Sequence, residues 1–455
     1  MDLVVCADFG STFTKTLLVS LDDGAVIAAA EHRTTIDTDV LDGFAACLDV
    51  LARTTPAAVD AQVRACSSAG GGLRIGVIGN EELVTAEAGR RVALSSGGRV
   101  VHVGDGGLYA DRLTALNAAE PDVVLLVGGT DGGNADVLVD AAATLGGCAW
   151  PGPVVIAGNV DAADQVSAAL GDGGVAYELA ANVVPRIGVL APESARAAIR
   201  SVFLRHVIGG KHLSASDDFV AMISGPTPDV VRSGVEVLAD RVGDVAVVDV
   251  GGATTDVHSV VELDPEESGL TRQVVPPTRV TRTVEGDLGM RWSAVSTVER
   301  GIEFGVVDRD ERTALTDVAQ RRRADPGLVP FDRAGLADDR RLAEVAVGVS
   351  LRRHAGRQQV GLGDGGRIVE RTGKDLREVE LLVGSGGALR HADRVDADAL
   401  LRGCTGTDVP GGWLLPRAPR VLVDRECVLA AVGLLASSHR GVAEALVEGH
   451  LLGAD

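Results

Sequence analysis

Two short blocks of one design, set far apart in the chain, constrain the fold more than any other feature. The first is Asp8-Phe-Gly-Ser-Thr-Phe-Thr-Lys15 and the second is Asp249-Val-Gly-Gly-Ala-Thr-Thr-Asp256, with Asp, Gly and Thr at the same offsets. Each lies between two short β-like runs, residues 3–7 and 16–20 around the first, 244–250 and 257–262 around the second. A hairpin duplicated once per lobe produces this pattern.

Between and beyond the blocks the chain alternates. A third strand is expected at 25–30 and a helix at 39–53. From about 75 to 206, strand-like runs at 100–103, 123–127 and 153–157 alternate with helical stretches at 81–94, 108–119, 134–145, 161–170 and 192–206, the rhythm of a largely parallel sheet. Residues 308–345 are charged and read as a solvated helical segment. A last strand at 378–383 enters Gly-Ser-Gly-Gly, and a final helix is expected at about 425–438. Three regions follow: 1–75, a first-lobe hairpin and sheet; 76–240, an α/β continuation or inserted partner-binding region; and 241–455, a second lobe.

Composition narrows the function classes. A formal charge of −21 argues against nucleic acid or an anionic membrane as the main partner, since both need a basic face. Lysine is scarce: Lys15, Lys211 and Lys374 are the three, so a lysine inside a phosphate-type motif stands out. The six cysteines show no CxxC spacing and read as small buried residues of a reducing compartment. No apolar run reaches the roughly 18 to 20 residues of a membrane span, and the N-terminus lacks the basic start of a signal peptide. The expectation is a soluble, cytoplasmic protein.

The blocks suit a nucleotide triphosphate. Glycines let backbone N–H groups approach phosphates, hydroxyls add hydrogen bonds, and a carboxylate in each hairpin can hold Mg²⁺ through its water shell. Asp8 with Gly10, Ser11, Thr12 and Thr14 supplies the first set. Asp249 with Gly251, Gly252, Thr254, Thr255 and Asp256 supplies the second. Either carboxylate can also orient an attacking water. A turn at the end of a strand is the bland alternative for either block alone, and the ordered pair weakens it.

Residues 8–15 resemble the phosphate-1 motif of the actin/Hsp70/sugar-kinase superfamily, with Lys15 at the place of a phosphate-contacting lysine. Val-Val-Asp-Val-Gly-Gly-Ala-Thr-Thr-Asp-Val-His-Ser-Val, ending at Val260, resembles phosphate-2, and 381–392, with Gly384, Ser385, Gly386 and Gly387, resembles the adenosine motif. The resemblance implies an α/β, actin-like ATPase (ribonuclease-H-like) fold with two lobes around a nucleotide cleft holding ATP or ADP and Mg²⁺. Within the superfamily, the opening ADFGSTFTK, LLVGGTDGGN (125–134), VVDVGGATTDVHS and TVEGDLGMRWSA (283–294) are similar to the GlmL/MutL family of glutamate mutase accessory proteins, over most of the chain.

That resemblance implies an ATP-binding reactivating chaperone for an adenosylcobalamin-dependent mutase, glutamate mutase or a related aminomutase. Slow Mg-dependent ATP hydrolysis would be coupled to release of inactive cobalamin, and the mutase subunits would be the partners. Asp8 and Asp249 are then the catalytic and metal-holding carboxylates. Glu285 could accept from the ribose hydroxyls or stand on a surface turn. GGTDGGN (128–134) could meet an anion at a helix start, but the favoured reading makes Asp131 and Asn134 a turn and an N-cap. Asp256-Val-His258 lacks the glycine of a corrinoid-binding signature, and no Walker A sequence occurs. A small-molecule kinase, a hydantoinase-like amidohydrolase and a filament scaffold are the competing readings.

Overall fold

The computed structural model describes residues 2–262, 278–363, 366–407 and 409–453. The chain divides into two compact units, the first built mainly on Met1–Ser233 and the second mainly on Arg279–Val432 with the segment that opens at Gly234.

In the first unit β1 (Leu3–Phe9), β2 (Phe13–Ser20) and β3 (Val26–Arg33) form an antiparallel meander, and β4 (Gln62–Ser67) lies parallel to β1 on its other side. β1 is buried along its whole length, which its near-continuous apolar run Leu-Val-Val-Cys-Ala permits. After β4 the chain leaves this sheet and builds another from β5 (Leu73–Ile78), β6 (Gly98–Gly104), β7 (Val123–Leu126), β8 (Val154–Ile156) and β9 (Tyr177–Leu179). All five are parallel, in the order β6-β5-β7-β8-β9. The chain then returns as β10 (Ile223–Pro226), parallel to β4, which completes the order β10-β4-β1-β2-β3. One apolar core joins the two sheets, with Val5, Phe9 and Leu18 from one and Ile75, Val77 and Leu125 from the other.

The second unit repeats the first sheet. β11 (Val245–Val250), β12 (Thr255–Val260) and β13 (Val280–Glu285) form the antiparallel meander. A separate hairpin, β14 (Arg357–Gly363) and β15 (Gly366–Thr372), precedes β16 (Leu381–Ser385) and β17 (Arg420–Val423), which run parallel to β11. The order is β13-β12-β11-β16-β17. In each unit three antiparallel strands are thus followed by two parallel to the first, the ribonuclease-H-like arrangement. Two copies of it in one chain are the actin-like ATPase fold, and the α/β class expected from the sequence is the one observed.

The charged stretch at 308–345 departs from its expected character. It forms the helices Arg312–Ala324 and Arg333–His354, and the second is a core element that buries Leu342, Val345, Val349 and Leu351. Its buried apolar residues begin at Leu342, after the charged run, whereas Leu336 within that run is exposed. Among the described residues no helix is long and apolar enough to cross a membrane.

Candidate functional site

The two hairpins have the same local geometry. In the first, Gly10 N–H donates to Phe13 O at 3.1 Å; in the second, Gly251 N–H donates to Thr254 O at 2.9 Å. A Cβ on Gly10 would lie 2.6 Å from that Phe13 oxygen, so the turn closes this tightly only around glycine. The register also repeats, with Asp8 opposite Lys15 and Asp249 opposite Asp256.

At the first hairpin Asp8 is 9% exposed. Its Oδ1 accepts from Thr227 Oγ1 at 2.7 Å, and Oδ2 lies 3.8 Å from Lys15 Nζ. Thr227 follows β10 directly, so the returning strand brings it there. Beneath the carboxylate sits Cys66, whose thiol burial pushes far up, which makes it an inert packing residue. Ser11 and Thr12 are exposed at the turn. Thr14 is fully buried, its hydroxyl 3.2 Å from that of Thr34, which in turn donates to Gly10 O at 2.7 Å. Of the other lysines, Lys211 pairs with Asp122 and Lys374 donates to Arg279 O and Thr281 Oγ1, so Lys15 alone among the three stands in a phosphate-type motif.

At the second hairpin three sequence motifs meet at one end of the β11 sheet. Met290 N donates to Gly251 O at 3.0 Å, and Arg291 N and Trp292 N donate to Gly252 O at 2.7 and 3.0 Å, so the loop 286–292 lies against the glycines of the turn. Gly289 can approach this closely because it has no Cβ; one would stand 2.6 Å from Ala253 C. On the other side of β11, Ser385 is in register with Asp249. Gly386 has φ +95°, and a Cβ there would stand 2.2 Å from Val250 O. The glycine-rich turn Gly384–Gly387 and the Asp249 hairpin are therefore neighbours held together by backbone contact. Glu285 lies opposite Thr255 at the edge of the same cluster.

Thr255 is buried and donates to Leu288 O at 3.1 Å, as Thr14 is buried in the first hairpin. Parity explains both. A strand alternates faces, Lys15 and Asp256 share the face of the Asp opposite them, and the preceding threonine must point the other way. These two hydroxyls fasten the hairpins, which leaves Ser11, Thr12 and Thr254 as the hydroxyls nearer the turns. The same parity was readable in the spacing.

Charge compensation around the second hairpin comes from residues that no motif singled out. Arg282, almost wholly buried, donates from Nε to Asp256 Oδ1 at 2.9 Å. Arg353 Nη1 contacts Glu285 Oε2 at 2.7 Å and Asp287 Oδ1 at 2.6 Å, and its guanidinium lies 5.4 Å from the centre of the Phe304 ring. Burial raises the Glu285 carboxyl despite Arg353, whereas the Arg353 hydrogen bond lowers that of Asp287. The next residue, His354, is enclosed between Ser259 Oγ at 2.8 Å and Thr283 Oγ1 at 2.9 Å. Burial, with Lys374 nearby, holds its pKa down to about 3, so it is a neutral hydrogen-bonding post.

Among the described residues no group of three or more His, Cys, Asp or Glu side chains could hold a metal. A cation at these hairpins would take one carboxylate at a time together with water and phosphate oxygens, which is how Mg²⁺ is usually held. The donor set of single carboxylates beside glycine turns fits Mg-nucleotide.

The GGTDGGN loop is fastened within the first unit. Asp131 accepts from Asn182 Nδ2 at 2.8 Å, Gly132 N donates to Asp161 Oδ2 at 2.7 Å, and Asn134 Oδ1 accepts from Asp136 N at 2.7 Å. Asp131 and Asn134 thus make turn contacts, and the cap position of the helix Asp136–Gly147 is Ala135, one residue beyond Asn134.

Comparison with known proteins adds a whole-chain relationship. The model of a family described as MutL protein matches residues 4–451. Protein MutL of Clostridium tetanomorphum is 34% identical over 449 residues, covering 96% of each chain. Among solved structures, a nucleotide-free acetone carboxylase is similar at 16% identity and a TM-score of 0.42, covering 96% of this chain and 70% of its own. An activator of 2-hydroxyisocaproyl-CoA dehydratase from Clostridium difficile, with ADPNP bound, is similar at 9% identity and a TM-score of 0.29, covering 98% and 97%. Structural likeness at these scores carries no functional weight.

Proposed function

Because this chain belongs to the MutL protein family, we propose that it is an ATP-binding accessory protein that reactivates an adenosylcobalamin-dependent mutase, glutamate mutase or a related aminomutase. ATP binding and slow hydrolysis would be coupled to release of inactive cobalamin from the client. The observation that carries the nucleotide half of this reading is the convergence of the Asp249 hairpin, the 286–292 loop and the Gly384–Gly387 turn at one end of the β11 sheet.

In this reading both hairpins are phosphate-binding elements. The amides around Gly10 and Gly251–Gly252, with Ser11, Thr12 and Thr254, bind phosphate oxygens. Lys15 exchanges its contact with Asp8 for one with phosphate. Asp8 and Asp249 would hold Mg²⁺ and can orient water, and Mg²⁺ when bound would neutralise charge on the phosphates. The Gly384–Gly387 turn offers a side-chain-poor surface to adenine and ribose, and Glu285, steadied by Arg353, faces the sugar. Such a site needs little beyond positioning and electrostatics to hydrolyse ATP slowly. Mechanical work requires in addition that ATP and ADP differ in affinity for the chain's conformations.

The test is ATP turnover with Mg²⁺, with and without an adenosylcobalamin mutase loaded with hydroxocobalamin. Stimulated turnover accompanied by cobalamin release is expected. ATP binding without stimulation or release would instead favour a kinase or an amidohydrolase on the same fold.

A further inference from the structure

Asp8 is held from a direction that no nucleotide motif supplies. After β4 the chain leaves the first sheet, builds the parallel sheet β5–β9 and returns as β10, which runs directly into the helix Thr227–Val242. Thr227, the first residue of that helix, donates from Oγ1 to Asp8 Oδ1 at 2.7 Å, across 219 residues of sequence. A threonine at a helix start ordinarily turns its side-chain oxygen to the N–H groups of its own first turn. Here the hydroxyl proton goes instead to a carboxylate of another element.

The segment that carries Thr227 is fixed by the inserted parallel-sheet region. Pro226 and Pro228 flank the threonine, each with a locked φ. Two residues on, the Asp229 side chain is only 2% exposed, and both its oxygens are engaged. Oδ2 accepts from Arg200 Nε at 2.7 Å, and Oδ1 accepts from Arg232 Nη2 at 3.0 Å. Arg200 stands on the helix Glu193–Val202, which follows β9. The turn before β6 closes on the same segment at Gly97, φ +82°, where a Cβ would stand 2.8 Å from Asp229 N and 3.2 Å from Pro226 Cβ. None of these contacts involves Asp8. The hydroxyl is therefore the fixed point, and the carboxylate is the part that conforms to it.

The terminal torsion of an aspartate is broad, so a carboxylate without an anchor samples many orientations, and holding one oxygen selects among them. A hydroxyl-to-carboxylate bond is charge-assisted and among the stronger hydrogen bonds. Cys66 Sγ, 3.6 Å from the same Oδ1, is too weak a donor to replace it. Oδ2 lies on the other side, 3.8 Å from Lys15 Nζ. We propose that Thr227 is a positioning residue for Asp8: by holding Oδ1 it leaves Oδ2, on the side of Lys15, for a bound cation. The inference rests on the reading of Asp8 as a carboxylate of a Mg-ATP site. It adds a residue outside all three nucleotide motifs, set in place by the inserted region.

Calorimetric titration of ATP with Mg²⁺ tests it in the wild type, Thr227→Val, Thr227→Ala, Thr227→Ser, Asp8→Ala and the double variant Thr227→Val/Asp8→Ala. Thermal unfolding shows whether each chain is folded. Loss of the hydroxyl, in the valine or the alanine variant, should weaken binding about tenfold, the lower end for a hydrogen bond to a charged group. Thr227→Ser keeps the donor and should stay within about twofold of the wild type. In the Asp8→Ala background Thr227→Val should change nothing further, because the hydroxyl acts through that carboxylate; an independent packing role would add its own loss. Asp8→Ala weakening binding while Thr227→Val and Thr227→Ala do not, a serine variant as weak as the valine one, or additive losses in the double variant would each overturn the inference and leave the nucleotide reading standing. No binding by the wild type, or binding indifferent to Asp8→Ala, would overturn both.

Discussion

Replacing Arg353 with Met isolates the electrostatics of the second unit's site. Arg353 is 22% exposed in its side chain and Glu285 12%, so the contact lies between an open surface pair and a buried one. Surface pairs contribute about 0–1 kcal/mol, and removing one partner of a buried pair costs about 3–5 kcal/mol, which brackets this change at about 1–3 kcal/mol. The pH dependence gives the sharper signature. Burial already raises Glu285, and without Arg353 its folded pKa rises further above the unfolded value. The variant's deficit is then present above that folded pKa and shrinks as the pH falls through it, when the carboxyl takes up its proton. Asp287 acts in the same sense, since Arg353 lowers its pKa in the wild type and that stabilisation fades on acidification. Urea unfolding of wild type and Arg353→Met at pH 8 and pH 4.5 measures both. The deficit should be larger at pH 8, and Glu285→Gln combined with Arg353→Met should recover part of it. An equal deficit at the two pH values, with no recovery in the double variant, would refute the reasoning.

Three further outcomes follow from the same geometry. Gly386→Ala places a Cβ against Val250 O at a left-handed position; it should destabilise by at least about 1–2 kcal/mol in urea unfolding and weaken Mg-ATP binding as well. Thr14→Val should lower stability by about 1 kcal/mol and leave nucleotide affinity nearly unchanged, whereas Lys15→Met should do the reverse and weaken ATP binding about ten- to a hundredfold, the worth of a charged hydrogen bond. His354, buried neutral, takes up a proton more readily when unfolded, so stability should fall as pH drops from about 6.5 toward 3, and His354→Gln should flatten that slope.

What the sequence disclosed was what local pattern encodes. Both hairpins were legible because short apolar runs bracket Asp-x-Gly, and their strands lie within a few residues of the expected ends. β10 and β17 were not, since each is only four residues long and owes its place to a partner distant in sequence, β4 and β16. β5 also went unread: its Arg-Ile-Gly-Val-Ile mixes a charge and a glycine into the run, and its position is set by the parallel neighbours β6 and β7. The charged run before Leu342 concealed a core helix. Arg282 and Arg353 could not be chosen from among so many arginines, because what distinguishes them is the burial of the carboxylates they meet. Thr14 and Thr255 were grouped with the phosphate-facing hydroxyls, although strand parity already turned them inward.

The central proposal is that both hairpins are needed for Mg-ATP binding. The most direct measurement is calorimetric titration of ATP with Mg²⁺ into the wild type and into Asp8→Ala and Asp249→Ala, each variant shown to be folded. The account predicts one site in the wild type and an affinity lowered at least about tenfold in each variant, as expected when a group meeting a charged ligand is removed. No binding to the wild type, or undiminished binding in both variants, would contradict it.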